Sequence, residues 1–495
     1  MSRRALPRTR SLPAGACVPV AVALLAGLLT ACSAGSAPHR APPATPSSAA
    51  YPSGPPPATL AAYYAQRLRW RPCDRGFQCA RLLVPFDYQR PAWRRFSLPV
   101  IRLPAASPRT RIGSLVVNPG GPGGSGIQYA QQARSQVSAA VRARFDVVGF
   151  DPRGVGGSIP AVRCLSDAQL DRFLATSDTP RNTAQQAALI SESKLFAGGC
   201  QKQSGALLPY VGTANAARDM DVLRAALGDA KLTYLGKSYG TYLGTWYAQL
   251  FPAHVRALVL DGAVDPAEPA LNMNRVQAQG FQVALRSFVT DCLHRSACPF
   301  PHGETVTAAI ARVQSMLNQA AVKPLASQIA GQPGGSALLL NGVAAALYSK
   351  SFWPYLRLGL TAAFGGNGSV LVALGDVLVE RDRSGHYSNL TAAELAVDCI
   401  DRPWPHNLST WRTAAASAAR AAPMFGKAIM WGSLPCAYWP VRPAPPVRLR
   451  GAGAPPILVV GTTRDPATPY RSAQALARDL KSGVLLGRIG DGHTA

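Results

Sequence analysis

Short apolar runs alternate along this chain with stretches of helical spacing. Runs at residues 81–87, 96–103, 114–118, 146–150, 232–235, 257–261, 457–460 and 484–489, bounded by Gly, Pro, Asn or Asp, predict eight strands. The first two read as an opening antiparallel pair. Helical spacing at 129–144, 215–227, 241–249 and 471–480 supplies crossovers, so the fold class is α/β with a mostly parallel sheet. From about residue 269 to 451 the rhythm gives way to apolar helical segments and Pro/Gly turns, which predicts a helical cap inserted into the sheet domain. The expected segments are a leader at 1–31, a flexible tether at 32–58, the first part of the sheet domain at 59–268, the cap at 269–451 and the rest of the sheet domain at 452–495.

The amino terminus indicates export. Arg3, Arg4, Arg8 and Arg10 precede an apolar core at 18–28 that is short for a membrane span, the pattern of a signal peptide. Its end, Leu29-Thr30-Ala31-Cys32, resembles a bacterial lipobox, which makes Cys32 the lipidation candidate and the membrane a partner. Ordinary cleavage near small residues is the alternative, and would leave the protein secreted. Cys17 lies in the leader and Cys32 at its end, so eight of the ten cysteines remain for the folded part. An even count in an exported chain favours disulfides over metal ligation, and no His pair stands beside these cysteines at zinc spacing. About 105 pairings are formally possible. Cys73 with Cys79 and Cys292 with Cys298 are close enough to close small loops, leaving Cys164 with Cys200 and Cys399 with Cys436 as the remaining candidate pairs. The net charge of +26 is diffuse, without long Lys/Arg runs or basic stretches interleaved with aromatics, so no nucleic-acid partner is expected.

The chemistry centres on Gly236-Lys237-Ser238-Tyr239-Gly240, a G-x-S-x-G pentapeptide between a predicted strand and a predicted helix. A serine on so sharp a turn projects its hydroxyl above a sheet as a nucleophile. After the third predicted strand, the glycine-rich stretch 118–126 can turn N–H groups of Gly120 and Gly121 toward an oxyanion, with the N–H of Tyr239 as the other donor. A phosphate cradle is the rival reading, but the stretch lacks the P-loop Lys and the G-K-[ST] ending. Asp151 and Arg153, in a glycine loop after the fourth run, brace the site or simply shape a turn. With the chain order Ser, acid, His, Asp465 after the 457–460 run and His493 after the last run complete a triad; Asp261 is the alternative acid.

These segments, together with Leu260-Asp261-Gly262, Asp465-Pro466-Ala467-Thr468-Pro469 and Gly492-His493-Thr494-Ala495, resemble exported bacterial tripeptidyl aminopeptidases, relatives of proline iminopeptidase. The resemblance runs from about residue 70 to the end. It implies an α/β-hydrolase fold with a cap, no metal or organic cofactor, peptide substrates, and removal of short peptides from free amino termini. It also implies that Thr468 supports the Asp465 loop. Ala396-Val397-Asp398-Cys399-Ile400-Asp401 resembles the family's Cys-x-Asp segment, so Asp398 and Asp401, with Glu394 nearby, are candidates for holding the substrate ammonium; pairing with Arg402 or helix capping is the competing role. The family continues past the His-Thr-Ala segment with a cysteine pair and a closing helix, whereas this sequence stops at Ala495, so the closing helix is expected to be missing and one sheet face exposed. The resulting expectation is an exported serine exopeptidase releasing short peptides, tripeptides in particular, through an acyl-enzyme. An esterase or thioesterase of the same fold, or a non-catalytic surface binding protein with a degraded hydrolase fold, are the alternatives.

Overall fold

The computed structural model describes residues 58–443 and 445–495. The leader, Cys17, the lipidation candidate Cys32 and nearly all of the expected tether lie outside them.

Nine strands form one sheet: β1 (Arg71–Pro72), β2 (Gln78–Pro85), β3 (Arg95–Leu103), β4 (Gly113–Asn118), β5 (Phe145–Phe150), β6 (Leu232–Lys237), β7 (Val255–Asp261), β8 (Ile457–Arg464) and β9 (Gly483–Asp491). Their order is β1-β2-β3-β5-β4-β6-β7-β8-β9. The expected count of eight is therefore corrected to nine. The additional strand, β1, is two exposed residues paired antiparallel to β2, too short to carry a periodic signal. The pairs β1–β2, β2–β3 and β3–β5 are antiparallel, and from β5 to β9 every neighbouring pair is parallel. Every residue of β4 is buried, as are five of the six in β5, because parallel strands are covered on both faces.

The chain leaves β4 toward β5 on one side and returns to β6 on the other. This reversal places the carboxyl ends of β4 and β6 at a topological switch point, where open α/β sheets bind ligands. Asn118, Lys237, Asp261, Arg464 and Asp491 end β4, β6, β7, β8 and β9 on that same edge.

The principal helices are α1 (Gly126–Gln131), α2 (Asp167–Ala175), α3 (Thr183–Ser204), α4 (Thr213–Ala226), α5 (Tyr239–Leu250), α6 (Ala270–Leu293), α7 (Leu390–Asp401) and α8 (Tyr470–Asp479). The helix expected at 129–144 is instead three short pieces, α1, Ala133–Gln136 and Ala139–Arg144. Ser125 and Ser138 accept N–H bonds as N-caps and so start two of them separately. Sequence spacing also missed α3, because its apolar residues are spread around the helix and not along one face.

Helices from α6 to Gly426–Gly432 fill the stretch between β7 and β8, and α2 and α3 from between β5 and β6 join them. The Arg381 guanidinium meets the Asp171 carboxylate at 2.9 Å, and Asn389 Nδ2 donates to the carbonyls of Gly154 at 2.8 Å and Val162 at 3.0 Å. Disulfides join Cys73–Cys79, Cys164–Cys200, Cys292–Cys298 and Cys399–Cys436. The second and fourth span 36 and 37 residues, loops whose closure restricts the unfolded chain by about 4 kcal/mol each in the chain-entropy account. Four disulfides place the chain in an oxidising, extracytoplasmic compartment. The edge strand β9 leaves Val484, Leu485, Leu486 and Ile489 exposed.

Candidate active site

Ser238 stands between β6 and α5 with φ 55° and ψ −126°, a conformation L-residues rarely adopt. Its N–H donates to the Asp261 carbonyl at 2.9 Å, and its own carbonyl accepts from the Thr241 N–H at 2.8 Å and hydroxyl at 2.6 Å. Glycine is required around it. A Cβ on Gly236 would lie 2.3 Å from the Gly240 carbonyl oxygen, and one on Gly120 would lie 2.6 Å from the Lys237 oxygen and 2.8 Å from Ser238 Cβ.

That contact revises the role of Gly120. Its N–H donates to Asn118 Oδ1 at 3.0 Å, in a buried bond, so it is engaged within its own loop and is not an oxyanion donor. The N–H groups of Gly121 and Tyr239 are the remaining pair; both residues line a cavity with Ser238, and Tyr239 opens α5, where the N–H has no helical acceptor. Asp151 braces the loop from below, accepting from Ser125 Oγ at 2.6 Å and from the N–H of Gly157 at 2.8 Å and Ile127 at 3.2 Å. Arg153 is fully buried against Asp219 and serves the interior.

Past β8, Asp465 is buried, and its carboxylate accepts the N–H groups of Ala467 at 2.9 Å, Thr468 at 2.8 Å and Thr494 at 3.0 Å. Thr468 Oγ1 adds a bond at 3.2 Å. His493 Nδ1 lies 2.8 Å and 3.0 Å from the two carboxylate oxygens. The His493 N–H donates to the Tyr348 carbonyl at 2.7 Å, and the Tyr348 ring meets the imidazole edge-on at 5.4 Å. Asp261 does not bond the histidine: it accepts the Ala495 N–H at 3.0 Å and lies 3.7 Å from Lys237 Nζ. Among the described residues no hydrogen bond joins Ser238 to His493, although both line one chamber. Resting hydrolase sites commonly tighten only when substrate arrives.

Two chambers meet at Ser238. The smaller, about 230 Å³, is evenly divided between polar and apolar surface and lined in part by Asp265, Glu268, Glu394, Asp398 and Asp401; the larger, about 560 Å³, is mainly apolar and includes His493. Glu394 and Asp398 line both. Burial pushes the Glu394 carboxyl up to about 7, and burial reinforced by Glu394 raises Asp398 well above the usual carboxylate range. Arg402 does not neutralise them with an ion pair; its guanidinium donates to the carbonyls of Pro266 and Glu268 at 3.3 and 3.2 Å and covers the Tyr242 ring at 4.8 Å.

Asp401 differs from its two neighbours. Its carboxylate accepts the Thr213 N–H at 2.8 Å and the Thr213 hydroxyl, which in turn meets the Tyr239 hydroxyl. Burial still lifts its carboxyl to about 6, with those bonds opposing. Asp401 thus anchors the start of α4 and the Tyr239 side chain, whereas Glu394 and Asp398 form no ion pair among the described residues. The spacing of Thr213 from Asp401 holds no hint of this contact. Outside these groups, Asp265, His254, His294, His302, His386 and His406 make no bond to the triad. Among the described residues no cluster of three His, Cys, Asp or Glu could hold a metal ion.

Two family models match the chain, one described as the alpha/beta hydrolase fold over residues 113–325 and one as TAP-like protein over residues 422–495. Serine protease Hip1 of Mycobacterium tuberculosis is 39% identical over 452 residues, covering 87% of this chain and 85% of its own. Tripeptidyl aminopeptidase of Streptomyces lividans is 34% identical over 444 residues, covering 87% and 81%. The chain belongs to the TAP-like α/β hydrolases. Carboxylesterase B of M. tuberculosis is also similar, 38% identical over 435 residues, covering 85% and 81%. This TAP-like hydrolase is a serine hydrolase with a mostly parallel sheet and helical insertions, and the first match spans β4 to β7 while the second spans β8 and β9.

Labelling by a fluorophosphonate probe tests the assignment of the triad. Ser238→Ala should abolish labelling and lower turnover by roughly 10³-fold or more, and Asp465→Asn should lower it by about 10⁴-fold by disturbing the imidazole tautomer. A larger loss in Asp261→Asn, with folding unchanged by circular dichroism, would mean that the acid is Asp261.

Proposed function

We propose that this protein is an exported serine exopeptidase that releases short peptides, tripeptides in particular, from free amino termini. The observation that carries the reading is a pair of acids, Glu394 and Asp398, that line the chambers beside Ser238 and form no ion pair with Arg402 of the same wall or with any other described cation. In a chain with 51 Lys and Arg against 25 Asp and Glu, acids left unpaired beside a nucleophile suit a cation brought by the substrate. The names of the Streptomyces and Hip1 relatives agree with a peptidase.

In this mechanism the substrate ammonium rests against Glu394 and Asp398 while the scissile carbonyl lies over Ser238. His493 takes the hydroxyl proton as Ser238 Oγ attacks, and Asp465 holds the imidazole through Nδ1 and stabilises the imidazolium. Charge developing on the carbonyl oxygen is received by the N–H groups of Tyr239 and Gly121. His493 then returns the proton to the leaving amine, and water, activated by the same base, hydrolyses the acyl-enzyme. The large apolar chamber and the carboxylesterase relative favour a second reading, an esterase with the same triad.

The lipobox-like ending at Cys32 supports attachment to the membrane through a lipid, with the catalytic part outside. Detergent-phase partitioning of the full-length protein, lost in Cys32→Ala, is the expected result; partitioning unchanged in that variant would remove the anchor from the account.

The pH dependence separates peptidase from esterase. Glu394 is neutral well below its raised value near 7 and charged above it, whereas a peptide amine loses its charge above about 8. The ratio of kcat/KM for free to acetylated peptides should therefore climb between pH 5 and 7.5 and fall again above 8, and Glu394→Gln should flatten it. Any requirement for neutral His493 cancels in the ratio. Equal rates on free and acetylated peptides, or faster turnover of simple esters, would favour the esterase.

A further inference from the structure

The larger chamber contains an acid that the mechanism does not use. Asp178, on the loop after α2, lines it among Phe173, Leu174, Leu340, Leu378 and Val379. Elsewhere in the inserted helices Asp171 and Asp376 face Arg381 at 2.9 and 3.6 Å, and Asp291 meets Arg295 at 2.6 Å. Among the described residues Asp178 has no such cation. Burial pushes its carboxyl up to about 7, and the contact that opposes this is with its own backbone. The adjoining Ser177 hydroxyl is buried without a hydrogen-bond partner, so the loop beside Asp178 carries a further polar group that the protein leaves unsatisfied.

A lone carboxylate in an apolar wall is unfavourable unless a cation arrives to meet it. In this chain the cations outnumber the acids twofold, yet none is placed there. An apolar wall suits a methylene stem and the Asp178 carboxyl a charged head, which together are the form of a lysine or arginine side chain. A substrate amino terminus lacks the stem, and Glu394 and Asp398 line both chambers whereas Asp178 lines only the larger.

We propose that the larger chamber is a side-chain subsite for a lysine or arginine of the substrate, with Asp178 receiving the cationic head and the apolar wall the methylene stem. The proposal rests on the peptidase reading above and adds a specificity-determining residue to it. Asp178 acts in binding and takes no part in bond making.

The test uses unblocked alanine-based tetrapeptides that carry lysine, arginine or norleucine at each of the four positions in turn, with products identified by mass spectrometry. Norleucine keeps the stem and removes the charge. In the wild-type protein one position should favour lysine and arginine over norleucine by about tenfold or more in kcat/KM, the size of one charge-assisted bond. In Asp178→Asn the lysine peptide should fall to the norleucine rate, with the norleucine peptide and fluorophosphonate labelling unchanged within about twofold. Absence of a basic preference at every position, or a preference that survives in Asp178→Asn, overturns the proposal. Failure to hydrolyse any of the peptides while esters are turned over would overturn the peptidase reading and this subsite with it.

Discussion

The backbone of Ser238 is the constraint on which the site depends. At φ 55° the residue is held in a conformation that costs of order 1–3 kcal/mol. It persists because its N–H is tied to β7 through the Asp261 carbonyl and its carbonyl is tied to Thr241. The β4 loop closes over it so tightly at Gly120 that no side chain fits between. Three parallel strands are therefore registered against one another at the point where the nucleophile emerges. The acid and the histidine follow from the same sheet, since β8 and β9 end on the same edge and their loops need cross only one strand spacing to meet.

The second organising feature is electrostatic. This is a strongly basic chain, yet Glu394, Asp398 and Asp178, which line the chambers that meet at Ser238, form no ion pair among the described residues. Glu394 illustrates the cost. Its folded pKa is raised, so its contribution to stability is full below the unfolded value of about 4.5 and is lost as pH rises through about 7. The loss amounts to at most about 3 kcal/mol when the group ionises without a partner. A bound cation offsets it, which couples stability to ligand occupancy. Asp401, by contrast, spends its carboxylate on Thr213 and so contributes order to Tyr239 and α4.

Much of this architecture was legible before the structure. Buried parallel strands such as β4 and β5 read as continuous apolar runs, and the turns bearing Ser238, Asp465 and His493 are punctuated by glycine and proline. What escaped notice lacked a local signal. A two-residue strand has no period, and α3 has apolar residues on every side, so the contribution of α2 and α3 to the chamber walls appears only through tertiary packing. Glycine content does not show which N–H in the 118–126 stretch is already engaged, and the Gly120 N–H is held by the side chain of Asn118. Asp401 is ambiguous in the sequence for the same reason: a carboxylate is defined by its partners, and its partner Thr213 lies 188 residues away, while Asp178 carries no sequence signal at all.

The central claim is that one nucleophile, two backbone donors and two unpaired carboxylates act on a single free-amine peptide. A crystal structure of the protein inactivated by a tripeptidyl phosphonate with an unblocked amine examines all of them at once. The account predicts phosphorus bonded to Ser238 Oγ, a phosphonyl oxygen about 3 Å from the nitrogens of Gly121 and Tyr239, and the amine within about 3 Å of a carboxylate oxygen of Glu394 or Asp398. An amine turned to solvent, or a phosphonyl oxygen directed away from both backbone nitrogens, would contradict it.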